Sequence, residues 1–112
     1  MAENMKATLD EFMGALGELK KTHPEYVKLF VDLVHGIEGE GKLSTKIKEL
    51  ISVALAVNAR CKYCIAFHTN NALKAGATKE EIIEAGFVGA LMGGGPALTY
   101  LAVLLKALED LK

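Results

Sequence analysis

Cys61-Lys62-Tyr63-Cys64 holds both cysteines of the chain, and His68 follows four positions after the second. Two sulfurs at this spacing can pass between dithiol and disulfide, because a mixed disulfide formed at one is within reach of the other. On a helix, Cys61, Cys64 and His68 share one face. A helix start supplies partial positive charge and unpaired N–H groups, both of which favour thiolate over thiol. An imidazole one turn below Cys64 is a base that can take its proton directly or through a water. The thioredoxin setting, a C-x-x-C after a strand in a βαβ unit, fails on fold, since no segment alternates as a strand would.

The base needs an orienter, and the elements around it suggest Glu49. If the helices on either side of Ala59 and Arg60 form a hairpin, residues whose numbers sum to roughly 119 sit level, which brings Glu49 to about 3 Å from His68 along the axis. A carboxylate there would hold the imidazole, stabilise its charged form and complete an activated-nucleophile relay. Taken singly, these residues have plainer explanations. Free cysteines pack as small hydrophobes. C-x-x-C is half of a structural zinc site, although a second Cys or His pair at metal spacing is missing. His68 alone reads as a hydrogen-bonded core histidine, and Glu49 alone as a carboxylate favoured near a helix start. Their convergence on one face favours redox chemistry.

The supporting elements read as helices throughout, giving an all-α bundle of about six helices with the C-x-x-C at the start of the fourth. Thr8 can cap a first helix to about Lys20, with Leu9, Phe12, Met13, Leu16 and Leu19 along one side. Pro24 suits the opening of a second, which turns Val27, Phe30, Val31 and Val34 inward and ends before the loose segment of Gly36, Gly39 and Gly41. Ser44 caps a third helix to about Arg60, uncharged from Leu50 to Ala59 and therefore expected to be buried nearly all round. The fourth stops at Gly76. Thr78 and Glu81 form a capping box for the fifth, and Pro96 opens the sixth. Gly86, Gly89 and Gly93 allow a close helix approach. Lys46, Lys48, Lys74, Lys79, Glu80 and Glu84 read as solvated faces.

Composition narrows the function. The 112 residues carry 13 basic and 14 acidic side chains, a net charge of −1. That offers no field for nucleic acid and no basic stripe to track a backbone, so residues 1–112 read as one globular domain that does not bind DNA or RNA. A mean hydropathy of +0.24 is high for so short a chain and points to a homo-oligomer. The first twelve residues contain Lys6, Glu3, Asp10 and Glu11 where a secretory signal needs an apolar core, which places the protein in the cytoplasm. The uncharged run from Ala85 to Leu105 is long enough to span a bilayer, but Gly93, Gly94, Gly95 and Pro96 divide it, so no membrane association is expected.

The pattern Glu49, eleven residues, Cys61-x-x-Cys64, three residues, His68 resembles the signature of the alkylhydroperoxidase D-like branch of the carboxymuconolactone decarboxylase family. The phrases Leu43-Ser44, Lys48-Glu49-Leu50-Ile51, Gly76-Ala77-Thr78 and Gly94-Gly95-Pro96-Ala97 extend the likeness over about residues 24 to 105. The resemblance implies a helical subunit assembled as trimers or hexamers. It also implies a thiol-dependent peroxidase and disulfide oxidoreductase without a bound cofactor. A dithiol such as dihydrolipoamide, or another thiol reductant, would supply electrons; the substrate would be a hydroperoxide or a disulfide, and a peroxiredoxin is a candidate partner. Carried over, Glu49 and His68 are the proton relay, Cys64 the activated thiol and Cys61 its disulfide partner, whereas the helix-dipole argument favours Cys61 as the activated one. Better-known peroxide-reducing members have a histidine where Tyr63 stands. Alternatives are a decarboxylase acting on a small carboxylated substrate, a branch that generally lacks the C-x-x-C, and a non-catalytic helical oligomer with a structural metal.

Overall fold

The computed structural model describes residues 3–112; residues 1 and 2 lie outside it. The described residues form helices alone: α1 (Met5–Thr22), α2 (Pro24–Glu38), α3 (Thr45–Ala59), α4 (Lys62–Lys74), α5 (Lys79–Gly93), α6 (Gly95–Leu98) and α7 (Leu101–Asp110). The expected bundle is present, its last helix divided into the four-residue α6 and the longer α7. Pro96 opens α6, and the Thr99 hydroxyl donates to the Pro96 carbonyl at 2.8 Å where that turn ends.

Helix starts follow side-chain chemistry. Ser44 Oγ accepts from the Ile47 N–H at 3.2 Å, and Thr78 and Glu81 bond reciprocally as a capping box. The first helix departs from expectation. Asn4 caps it, accepting from the Ala7 N–H at 2.9 Å, and Thr8 is buried one turn inside, donating to the Asn4 carbonyl and the Glu3 carboxylate. Asparagine caps as well as threonine does, so the earlier of two competent residues took the position.

The core lies where α3, α4, α5 and α7 meet, around Val53, Val57, Ile65, Ile82 and Leu104. The α3–α5 crossing depends on small residues. A methyl group built on Gly89 would stand 2.1 Å from the Ala54 carbonyl oxygen, and Asn58 Nδ2 donates to the Gly89 carbonyl across the same crossing at 3.3 Å. The obstacle is backbone, which cannot swing aside. Gly89→Ala is therefore expected to destabilise the fold by about 3 kcal/mol, read as a lowered urea midpoint at unchanged slope.

Apolar faces of three helices lie outside, those of α2 and α3 against expectation. Val27, Val31 and Val34 of α2 are half-buried, but Phe30 is 70% exposed, beside exposed Tyr26, Leu29, Leu33 and Ile37. The uncharged α3 likewise exposes Ile51 and Leu55, and α5 exposes Phe87, Val88, Leu91 and Met92. An uncharged helix is buried all round only if enough neighbours surround it, and one short chain does not provide them. The uncharged run from Ala85 to Leu105 breaks at Gly94, whose φ is +75°, and no helix among the described residues is long and apolar enough to cross a membrane.

Candidate active site

The α3–α4 reversal is completed in two residues. Arg60 takes the left-handed conformation, φ +56°, with its N–H on the Val57 carbonyl at 3.1 Å and the Cys61 N–H on the Ala56 carbonyl at 3.2 Å. This paired closure turns the chain back on itself and leaves Cys61 as the N-cap of α4. Cys61 Sγ accepts from the Cys64 N–H at 3.2 Å, so one sulfur occupies the place of a capping oxygen and receives the helix's positive end. Cys61 and Cys64 are joined as a disulfide with their Cα atoms 5.2 Å apart. Cys64 is exposed and Cys61 half-buried.

His68 lies one turn further along α4, and its Nδ1 is 2.7 Å from Oε1 of Glu49. The hairpin places the carboxylate where the level-residue arithmetic put it. Using Nδ1 for Glu49 leaves Nε2 as the nitrogen free for other partners. Glu49 is only 3% exposed. Its carboxyl is pushed above the ordinary carboxylate range, chiefly by burial and further by the facing Glu38, while its hydrogen bond to His68 pulls the other way. Phe67 sets its ring edge-on to His68, centroids 5.1 Å apart, and Phe12 of α1 packs edge-on to Phe67.

Glu38 is the residue that the sequence reading missed. It is the last residue of α2, its Oε1 accepts from the Ser52 hydroxyl at 2.8 Å, and its Oε2 is buried without a partner. The reading ended α2 before Gly36. Instead the helix runs through that glycine to Glu38, and Lys48 Nζ donates to the carbonyls of Ile37 and Gly39 at 2.8 Å each, holding the end of α2 against α3. Lys48 is thus no solvated face, whereas Lys46 pairs with Glu81 at 2.9 Å on the surface. Glu38 and Glu49 are eleven positions apart across a glycine-rich turn, a separation no local rule singles out; only the α2–α3 packing reveals them as a pair.

Donor atoms of Glu38, Glu49 and His68 lie within 4.8 Å of one another, close enough for a cation to bridge. Nδ1 of His68 and Oε1 of Glu49 face each other at hydrogen-bond distance. Neither sulfur belongs to that group, each being bonded to the other. A cleft of about 510 Å³ opens beside the carboxyls, with His35, Phe67, Asn71 and Lys74 on its walls. On the other side α1 is fastened to the start of α4: the Tyr63 hydroxyl donates to Glu11 at 2.8 Å, and Lys62 pairs with Glu3 at 3.0 Å.

Known proteins share this chain's length and shape. The sequence pattern of the carboxymuconolactone decarboxylase family matches residues 24–107. An uncharacterised protein of Cupriavidus necator is 34% identical over 111 residues, 99% of this chain and 98% of that one. Another, from the cox locus of Paracoccus denitrificans, is 34% identical over 97 residues, 87% of each chain. The crystal structure of an apo carboxymuconolactone decarboxylase family protein from Legionella pneumophila superposes with a TM-score of 0.92 at 35% identity, covering 98% of both chains. A Thermotoga maritima protein of the same family gives 0.81 at 30% identity, covering 92% of this chain and 88% of its own. A pattern match over most of its length, together with relatives aligned nearly end to end, shows that the chain belongs to the carboxymuconolactone decarboxylase family, with which the alkylhydroperoxidase D-like spacing of Glu49, Cys61, Cys64 and His68 is consistent.

Proposed function

We propose that this protein is a cytoplasmic thiol-disulfide oxidoreductase with hydroperoxide-reducing activity, cycling Cys61 and Cys64 between dithiol and disulfide. The observation that carries the reading is the buried Glu49 carboxyl held 2.7 Å from His68, whose helix also carries a disulfide with an exposed Cys64. A part in the antioxidative response has been suggested for the Thermotoga maritima relative, which supports the same direction.

Exposure assigns the sulfurs complementary tasks. A thiolate of the reducing dithiol attacks the sulfur of the exposed residue Cys64; the S–S bond breaks, and Cys61 leaves as a thiolate stabilised by the Cys64 N–H and the helix start. The reductant's second thiolate then attacks its own sulfur in the mixed disulfide, closing the reductant's ring and releasing Cys64, which His68 protonates. Two electrons have moved from the dithiol to the protein. In the oxidising half, His68 takes the Cys64 proton, and the thiolate attacks the terminal oxygen of a hydroperoxide. The O–O bond breaks to give a sulfenic acid and, with the proton returned, an alcohol. Cys61 attacks the sulfenic sulfur, expelling hydroxide that leaves as water once protonated, and the disulfide is restored. Either sulfur assignment uses Glu49 as orienter of the same imidazole.

The exposed apolar faces of α2 and α5 support assembly into a homo-oligomer, and the family resemblance makes a trimer or hexamer the form to look for. The decisive assay is hydroperoxide consumption coupled to NADH through lipoamide and lipoamide dehydrogenase. NADH loss dependent on both protein and peroxide is the expected result, with the protein gaining two hydrogens in intact mass on reduction. No turnover with lipoamide, thioredoxin or glutaredoxin as donor, and no mass change, would refute the reading.

A further inference from the structure

The relay as drawn from Glu49 to His68 leaves one partner unused. Glu38 faces Glu49 from the end of α2, with one oxygen on the Ser52 hydroxyl and the other sealed from solvent without a partner. Like charge at this separation favours a proton on the pair, and Glu38 is among the groups that raise the Glu49 carboxyl. A proton between them answers both the like-charge contact and the orphaned Glu38 oxygen, since a protonated carboxyl donates where a carboxylate only accepts.

We propose that Glu38 is a positioning residue of the relay: it shares one proton with Glu49, and this carboxyl pair is the store from which His68 is reloaded, and to which it returns a proton, as the sulfurs are reduced and oxidised. The proposal rests on the oxidoreductase reading above. When Cys64 is released as a thiolate, His68 Nε2–H supplies its proton. The shared proton then crosses from Glu49 to Nδ1, and the pair regains one from water in the adjoining cleft. In the oxidising half each transfer reverses, so no proton is created or lost. Geometry supports the carboxyl side of the relay: Ser52 to Glu38 at 2.8 Å, the carboxyl pair within 4.8 Å, Glu49 to His68 at 2.7 Å, and an opening beside both acids. The other charged or titratable groups around the pair are His35 on α2, Lys48 on α3 and Lys74 on α4; Lys48 is engaged by backbone carbonyls, and neither lysine forms an ion pair with Glu38 or Glu49 among the described residues. The raised protonation range of Glu49, with Glu38 among its causes, agrees with the arrangement.

The test follows the His68 ring by NMR against pH in the full chain, oxidised and reduced, alongside the pH profile of disulfide reduction by dihydrolipoamide. In the wild type the ring signal should show, besides its own titration, a second step above the ordinary glutamate range of about 4.3, reporting the carboxyl pair. Glu38→Gln, near-isosteric at a partly exposed position, should move that step down toward the ordinary range and slow reduction about tenfold, less than the ~10²–10⁴ of a group that transfers the proton itself. Ser52→Ala, which removes a donor to the charged form, should move the step up. The proposal is overturned if Glu38→Gln leaves the step and the pH profile in place, or slows the reaction without moving either. It is equally overturned if the native protein holds a stoichiometric divalent cation that Glu38→Gln loses. Wild-type rates in both Glu49→Gln and His68→Ala would instead sink the relay itself, a result distinguishable from failure at Glu38 alone.

Discussion

Cys64→Ser should abolish turnover, with a fall of ~10³-fold or more in coupled hydroperoxide reduction, because a hydroxyl can neither be attacked by an incoming thiolate nor carry the oxidised state. Cys64 is the exposed member of the pair, so in the proposed cycle its loss would remove the point of contact with both substrates. Cys61→Ser should fail differently. Its remaining sulfur can still be oxidised once to a sulfenic acid, but no second protein sulfur closes on it, so without reductant one equivalent of peroxide should be consumed and one oxygen added to the intact mass, with no protein disulfide formed. The serine would keep capping α4, since its oxygen can accept from the Cys64 N–H as the sulfur does, so both variants should fold and the loss can be assigned to chemistry. Activity that survived both changes, for example on a small carboxylated ring, would move the protein to the decarboxylase side of its family.

Glu49→Gln should separate activity from stability. The amide can still accept a hydrogen bond from His68, but it cannot stabilise the imidazolium or take its proton, and turnover should fall about 10²-fold. Stability should move in the opposite direction. Burial raises the Glu49 carboxyl in the folded chain above its unfolded value, so the folded state holds the extra proton between those two values. The favourable contribution is complete below the unfolded value, about 4.3, and is lost as the pH rises through the folded one. Glutamine carries no charge at any pH and loses nothing. The variant should therefore gain on the wild type as pH rises toward neutrality, and the gap should close in acid. Denaturant unfolding from about pH 4 to pH 8 measures it; parallel curves for the two proteins would contradict the burial argument.

The site's central geometry was legible because it rests on short-range rules. Cys61, Cys64 and His68 needed only the period of a helix, and Glu49 only the rise per residue and a turn at Arg60. Ser44 and Thr78 declared their helices through capping chemistry, and Gly89 its crossing through the absence of a side chain. What escaped were features set by packing between distant segments. Glu38 is brought to Glu49 by the α2–α3 contact and by Lys48 holding the end of α2, none of which has a local pattern. Phe30 reads as a core residue by period and composition, yet α2 presents it to solvent, because hydropathy records what would rather leave water and says nothing about whether this chain or another covers it.

One consequence follows from how little chain the disulfide encloses. Cys61 and Cys64 are three positions apart, so the bridge restricts a loop of about four residues in the unfolded protein, worth about 2 kcal/mol of chain entropy, against about 4.7 for a hundred-residue loop. The Ser44 and Thr78 caps, the Gly89 crossing and the aliphatic core all lie outside that loop. Opening the bond should cost the architecture less than breaking a long-range bridge would, which is the property of a reusable latch and not of a rivet.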